Sequence, residues 1–136
     1  MKNQITIDNV KFWLDQNIIH CCFNEKFDRR FLDLEIEDIF IEVITAFTSG
    51  TYKPILIDLT RVNNYKAYSL YKFISQNIQL RSYVISKTFL VKSFDIKLLF
   101  ELYNLGKEDI IPTNVSTSFN RAIQYSNQSY LEFNAV

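Results

Sequence analysis

The stretch Lys53-Pro54-Ile55-Leu56-Ile57-Asp58-Leu59-Thr60 decides the fold. Ile55 to Leu59 form an almost unbroken apolar run with one acid near its far end, and polar Thr60 to Asn64 follow. A short apolar run bounded by such signals is the pattern of a strand buried on both faces, with helices on each side of its sheet. Pro54 suits the first position of a strand, where a missing ladder donor costs least. Asp58 then stands near the carboxyl end of a central strand, the edge of an α/β sheet where sites gather.

Upstream, Ile5 to Leu14 alternates and is expected to form one strand. Asp15-Gln16-Asn17 supplies a three-residue hairpin loop, since Asn tolerates the left-handed conformation at its end. Ile18 to Phe23 is the partner strand, with Ile19, Cys21 and Phe23 on one face and Ile18, His20 and Cys22 on the other. After the charged connection Asn24 to Arg30, Asp33 is the expected cap of a helix. Glu35, Glu37 and Asp38 fall where the helix dipole favours negative charge. Ile36, Ile39, Phe40, Val43, Ile44 and Phe47 give that helix an apolar stripe, and Gly50 closes it.

Downstream, Asn63 or Asn64 is expected to cap a second helix with the stripe Ala67, Leu70, Tyr71, Ile74 and Ile78. A strand lies within Arg81 to Leu90. Ser93 or Asp95 caps a third helix carrying Ile96, Leu99, Phe100, Leu102 and Tyr103, which Gly106 ends. Ile110 to Ser116 is a short strand whose Pro112 argues for an edge or an irregular start. Ser118 or Asn120 begins a last helix with Ala122, Ile123 and Tyr125 on its apolar face, and the tail from Ser129 either frays or packs through Tyr130, Leu131 and Phe133. The expected fold is therefore α/β: an N-terminal β-hairpin, then alternating helices and strands. It forms one domain over residues 1–136, with a mostly parallel sheet of about five strands and four helices.

At 136 residues, with 48% apolar and 22% charged residues, the chain can bury a full core without staples. Fifteen basic residues balance fifteen acidic ones. That balance gives no basic surplus of the kind a nucleic-acid binder carries, and it removes one brake on self-association, so a homo-oligomer is compatible with the charge. No apolar run reaches the length of a membrane span, and the first residues lack the apolar core of a secretory signal. Cys21 and Cys22 are adjacent, poorly placed to bridge each other, and fit a reducing compartment, so the expected location is the cytoplasm. With two Gly in the whole chain, no Gly-rich loop is available to cradle a phosphate.

Several short matches resemble one known family. They are Val10-Lys11-Phe12-Trp13-Leu14 with Asp15-Gln16-Asn17-Ile18-Ile19-His20, then Lys53 to Leu59, Ile111-Pro112-Thr113-Asn114-Val115 and Phe119-Asn120-Arg121-Ala122. Together with the element order they resemble the STAS-like domains, the fold of bacterial anti-sigma-factor antagonists, in an uncharacterised bacterial branch. In phosphorylated members a serine at the start of the helix after the central strand is the switch, in an Asp-Ser-Ser-Gly-like turn. Asp58-Leu59-Thr60 is similar to that family's strand end. The following turn region, Tyr65-Lys66-Ala67-Tyr68-Ser69, lacks the Asp and the Gly, places Tyr68 at the acceptor position by counting, and brings Ser69 one residue late. The resemblance therefore implies a regulatory, protein-binding module without the serine phospho-switch.

Read from the residues alone, Asp58 is a ligand or base at a strand end, or else it braces the loop after it, as a buried carboxylate requires. Arg61 either pairs with Asp58, is solvated, or holds an anionic group. His20 is the only histidine and has neither a second imidazole nor spaced cysteines beside it, so neither a catalytic pair nor a metal set is expected. Of Cys21 and Cys22, one is expected in the core and the other at a helix interface. Glu35, Glu37, Asp38 and Glu42 are spread around their helix as a solvated face rather than a metal patch. Tyr65 and Tyr68 fall outside the second helix's apolar stripe and, with Asp58 and Arg61, are the candidate protein-contact residues. The expected function is a non-enzymatic regulatory or protein-interaction module that binds another protein, with no cofactor and no metal. A carrier or sensor of a small apolar or lipid-like ligand, its pocket lined by the many Phe and Tyr, is the alternative.

Overall fold

The computed structural model describes residues 4–28, 34–48, 50–77, 83–107 and 111–135. Among them the chain forms one six-stranded sheet and four helices, an α/β fold with antiparallel strands at its N-terminal side and parallel strands beyond. Strands β1 (Gln4–Ile7), β2 (Val10–Asp15) and β3 (Ile18–Phe23) form two successive hairpins. Helix α1 (Leu34–Thr48) leads to β4 (Lys53–Asp58), α2 (Asn64–Asn77) to β5 (Val84–Leu90), and α3 (Phe94–Asn104) to β6 (Thr113–Ser116). Helix α4 (Phe119–Asn134) ends the described chain.

The expected single strand from Ile5 to Leu14 is two strands. Asp8 and Asn9 turn the chain between them with φ of 49° and 70°. Gln16 and Asn17 do the same between β2 and β3, at 53° and 65°, so that loop has two residues and Asp15 belongs to β2, paired with Ile18. Two consecutive left-handed residues give the turn whose twist matches the strands it joins. The sheet therefore has six strands where about five were expected.

Strand order follows chain order from β1 to β6, and β3 to β6 are parallel. Crossovers that keep one hand while the sheet grows in one direction put every intervening helix on the same face. Accordingly Phe40, Val43 and Ile44 of α1, Ala67, Leu70, Tyr71 and Ile74 of α2, and Ile96 and Phe100 of α3 share one core with Phe12, Cys21, Phe23, Ile55, Ile57 and Phe89. Its aromatics pack edge-on and stacked, Tyr71 lying 4.0 Å from Phe100 and 4.6 Å from Phe89 between ring centroids. Helix α4 takes the opposite face, over Ile18, Leu56 and Leu90, and its small buried residues Ala122 and Ser126 let it approach closely.

The expected caps are in place where they are described. Asn63 accepts a hydrogen bond at its Oδ1 from the Lys66 backbone N–H, Ser93 from Ile96 and Ser118 from Arg121. Gly50 and Gly106 hold φ of 85° and 77° after α1 and α3. Strand β6 is an edge, as Pro112 argued. Leu131 and Phe133 lie on α4, which continues through Ser129 to Asn134, and both are exposed. The Asp33 cap, Ile78, Arg81 and Ile110 lie outside the described residues.

Candidate functional site

On the face that α4 shares, strand register sets one row of residues across the whole sheet: Thr6, Lys11, Cys22, Asp58, Leu90, Ser116. Asp58 does what its structural reading required. Its Oδ1 accepts from the Thr60 backbone N–H at 2.8 Å and from the Thr60 hydroxyl at 2.6 Å, bracing the loop that leads to α2. Arg61 is not salt-bridged to Asp58; its guanidinium pairs with Glu25 at 3.6 Å, both side chains being largely in solvent.

Arg61 also lines a cleft of about 210 Å³ on this face. Thr6, Asn9, Lys11, Trp13, Cys22 and Asn24 line it with Arg61. The two asparagines are tied together by a 3.3 Å hydrogen bond from Asn24 Nδ2 to Asn9 Oδ1. The Trp13 ring stacks on buried His20 at 4.9 Å and 8°, and the imidazole also meets Phe119 of α4 at 6.5 Å. His20 thus serves as packing between Trp13 and α4. Burial, then the Asp58 charge, raises the Cys22 thiol above its ordinary value, while Arg61 and Lys11 oppose the shift. Cys21 lies in the core and Cys22 in this cleft rather than at a helix interface, and both are free thiols.

The two tyrosines stand elsewhere. Tyr65, in the first turn of α2, is 64% exposed. Tyr68 is half-buried in the α2–α3 seam, 6.2 Å from Phe100 and 6.0 Å from Tyr103, with the Lys72 ammonium 4.7 Å from its ring centre. Strand register and packing therefore place Asp58 beside Cys22, and Tyr68 in the layer of α1 to α3. The start of α2, where the resemblance puts a switch serine, is held by Asn63, and Ser69 falls in the second turn.

The sequence reading missed the outer side of α3. Ile96 and Phe100 face the core, but Leu99 and Leu102, expected with them, are exposed. Phe94, Leu98, Leu102 and Leu105, spaced by four, four and three residues, lie opposite the buried side and are 65, 45, 55 and 73% exposed. Lys97 and Glu101 pair at 2.9 Å along its flank. A helix apolar on both sides is normally covered on both sides.

Among the described residues, no three His, Cys, Asp or Glu side chains meet as a metal would need, and no helix is long and apolar enough to cross a membrane. Asp38 and Glu42 are exposed on α1, a solvated face as their spacing suggested. Phe12, Phe23, Phe27, Phe40, Phe47, Phe89, Phe100 and Tyr71 are committed to the core, and the aromatic ring on the cleft is Trp13.

Residues 12–130 match the model of a domain of unknown function, DUF7793. No curated protein and no solved structure matches the chain.

Proposed function

We propose, for a chain that belongs to the DUF7793 family of domains of unknown function, a non-enzymatic regulatory module that works by binding another protein through the outer face of α3. The observation that carries this reading is the apolar row Phe94, Leu98, Leu102 and Leu105, turned away from the core on a helix whose other side is already buried. Exposed aliphatic and aromatic side chains at helical spacing are what a partner's groove or helix takes up. Half-buried Tyr68 and Tyr103 lie in the neighbouring α2–α3 seam, and exposed Tyr65 stands at the start of α2. The STAS-like resemblance supports the same class, and the absence of serine at the start of α2 favours a form that does not use the serine switch. The adjacent free thiols Cys21 and Cys22 suit the cytoplasm.

A second copy of the chain meets the same requirement. Antiparallel pairing of two α3 helices sets Phe94 opposite Leu105 and Leu98 opposite Leu102, with Lys97 of one copy near Glu101 of the other, and a chain of zero net charge does not resist it.

Capture from native extract, comparing wild type with a Leu98→Glu/Leu102→Glu variant, tests the reading, with sedimentation velocity of both purified proteins beside it. A protein held by wild type and released by the variant, or a wild-type dimer that the variant dissociates, supports the α3 face. A wild type that is monomeric and captures nothing, or a partner held equally by both, refutes it.

A further inference from the structure

The polar cleft is independent of the α3 face and has the chemistry of a small-molecule site. We infer that it binds a planar aromatic acid, the ring laid against Trp13 and the carboxylate taken by Lys11 and Arg61. Five pieces of chain build it: β1 through Thr6, the β1–β2 turn, β2, the end of β3 and the loop after β4. Its volume, about 210 Å³, is below the roughly 300 Å³ at which drug-sized sites begin, so it suits a molecule of one ring.

Three features select the ligand class. Trp13 is a flat apolar surface held rigid by its stack on His20, so a planar ring can lie against it with little ordering cost. The Lys11 ammonium lies over the Trp13 ring, 5.9 Å from its centre; a ligand ring takes its place there, and the flexible stem lets the ammonium swing to the ring's edge to meet the acid group. Arg61 comes from the loop side with a guanidinium whose fork matches a carboxylate. Its partner Glu25 is a solvent-exposed carboxylate at 3.6 Å, an interaction of the weak kind that a ligand carboxylate in the cleft can replace. The Asp58 carboxylate, one strand further in, is already engaged by both donors of Thr60.

Trp13 is the only tryptophan, so its indole N–H gives one identifiable NMR cross peak. Benzoate is the probe, with benzamide as its uncharged counterpart and cyclohexanecarboxylate as its non-planar one. The expected result is a saturable shift of the Trp13 peak with benzoate, about tenfold weaker apparent binding of both counterparts, and a comparable loss for benzoate in Lys11→Gln/Arg61→Gln. Lys11 and Arg61 are both exposed, so that variant keeps the core, and an unchanged unfolding midpoint verifies it. Absence of a saturable benzoate shift overturns the inference, as does equal binding of benzamide or an undiminished shift in the double variant.

Discussion

Cys22 on β3 stands in register with Asp58 on β4, and the two face the same side of the sheet. The thiol is held above its ordinary pKa by burial first and by the Asp58 charge second, with Arg61 pulling the other way. Asp58→Asn removes a negative charge that favours the neutral thiol, so Cys22 should alkylate faster at a fixed mildly alkaline pH. Arg61→Gln should slow it. Mass spectrometry of the labelled Cys22 peptide against time measures both, and the same order of rates in reverse would contradict the assigned charges.

Cys21 gives a pH dependence of stability. Its thiol is fully buried, and burial, followed by Cys22 and Asp58, raises its pKa well above the ordinary value. Below the unfolded thiol's pKa both states keep the proton and this contribution to stability is complete. As pH rises past that point the unfolded chain releases the proton while the folded chain keeps it, so stability falls until the folded pKa is reached. Denaturant unfolding across the alkaline range should show this decline in wild type and a shallower one in Cys21→Ala.

The aromatic cluster sets the largest single cost. Phe100 packs on Tyr71 at 4.0 Å and reaches Phe89 at 6.3 Å, with no exposure. Phe100→Ala should lower stability by about 3–5 kcal/mol through lost burial and the cavity left behind. Leu98→Ala, on the same helix but facing outward, should change it by about 0.5 kcal/mol or less. Urea titrations of the two variants make the comparison, and similar losses would mean that α3 is seated differently.

Two local devices carry smaller costs. Lys53 is buried, and its ammonium donates to the Thr48 and Thr51 carbonyls at 2.9 and 3.0 Å, closing the link from α1 into β4. Lys53→Met should cost about 1–3 kcal/mol because two carbonyls lose a charged donor. Asn63→Ala should cost about 1 kcal/mol by uncapping α2. Thermal unfolding of both variants checks the order.

Most of the fold was legible because burial follows period. The run Ile55 to Leu59 reads as a central strand and is one, and the stripes of α1 and α2 face the core at the positions their spacing gives wherever they are described. The missed turn had a signal. Ile5 and Ile7 are odd-numbered and Val10, Phe12 and Leu14 even, and that phase slip at Asp8-Asn9 is what a two-residue turn requires to keep all five on one face. Leu99 and Leu102 were misplaced for another reason. On a helix apolar on two opposite sides, periodicity cannot distinguish the side that meets the sheet from the side that faces outward. The cleft was not legible at all. Asn9, Lys11, Cys22 and Arg61 come together only through strand register and a loop path that no local pattern encodes.

The most direct measurement of the central claim is site-specific photo-crosslinking in the native cell. A photoreactive residue is placed at position 98 on the outer face of α3 and, as a control, at exposed Gln128 on α4. A discrete protein adduct, or a covalent dimer of the chain, is expected from position 98 and none from 128. No adduct at 98, or the same adduct from both positions, would contradict it.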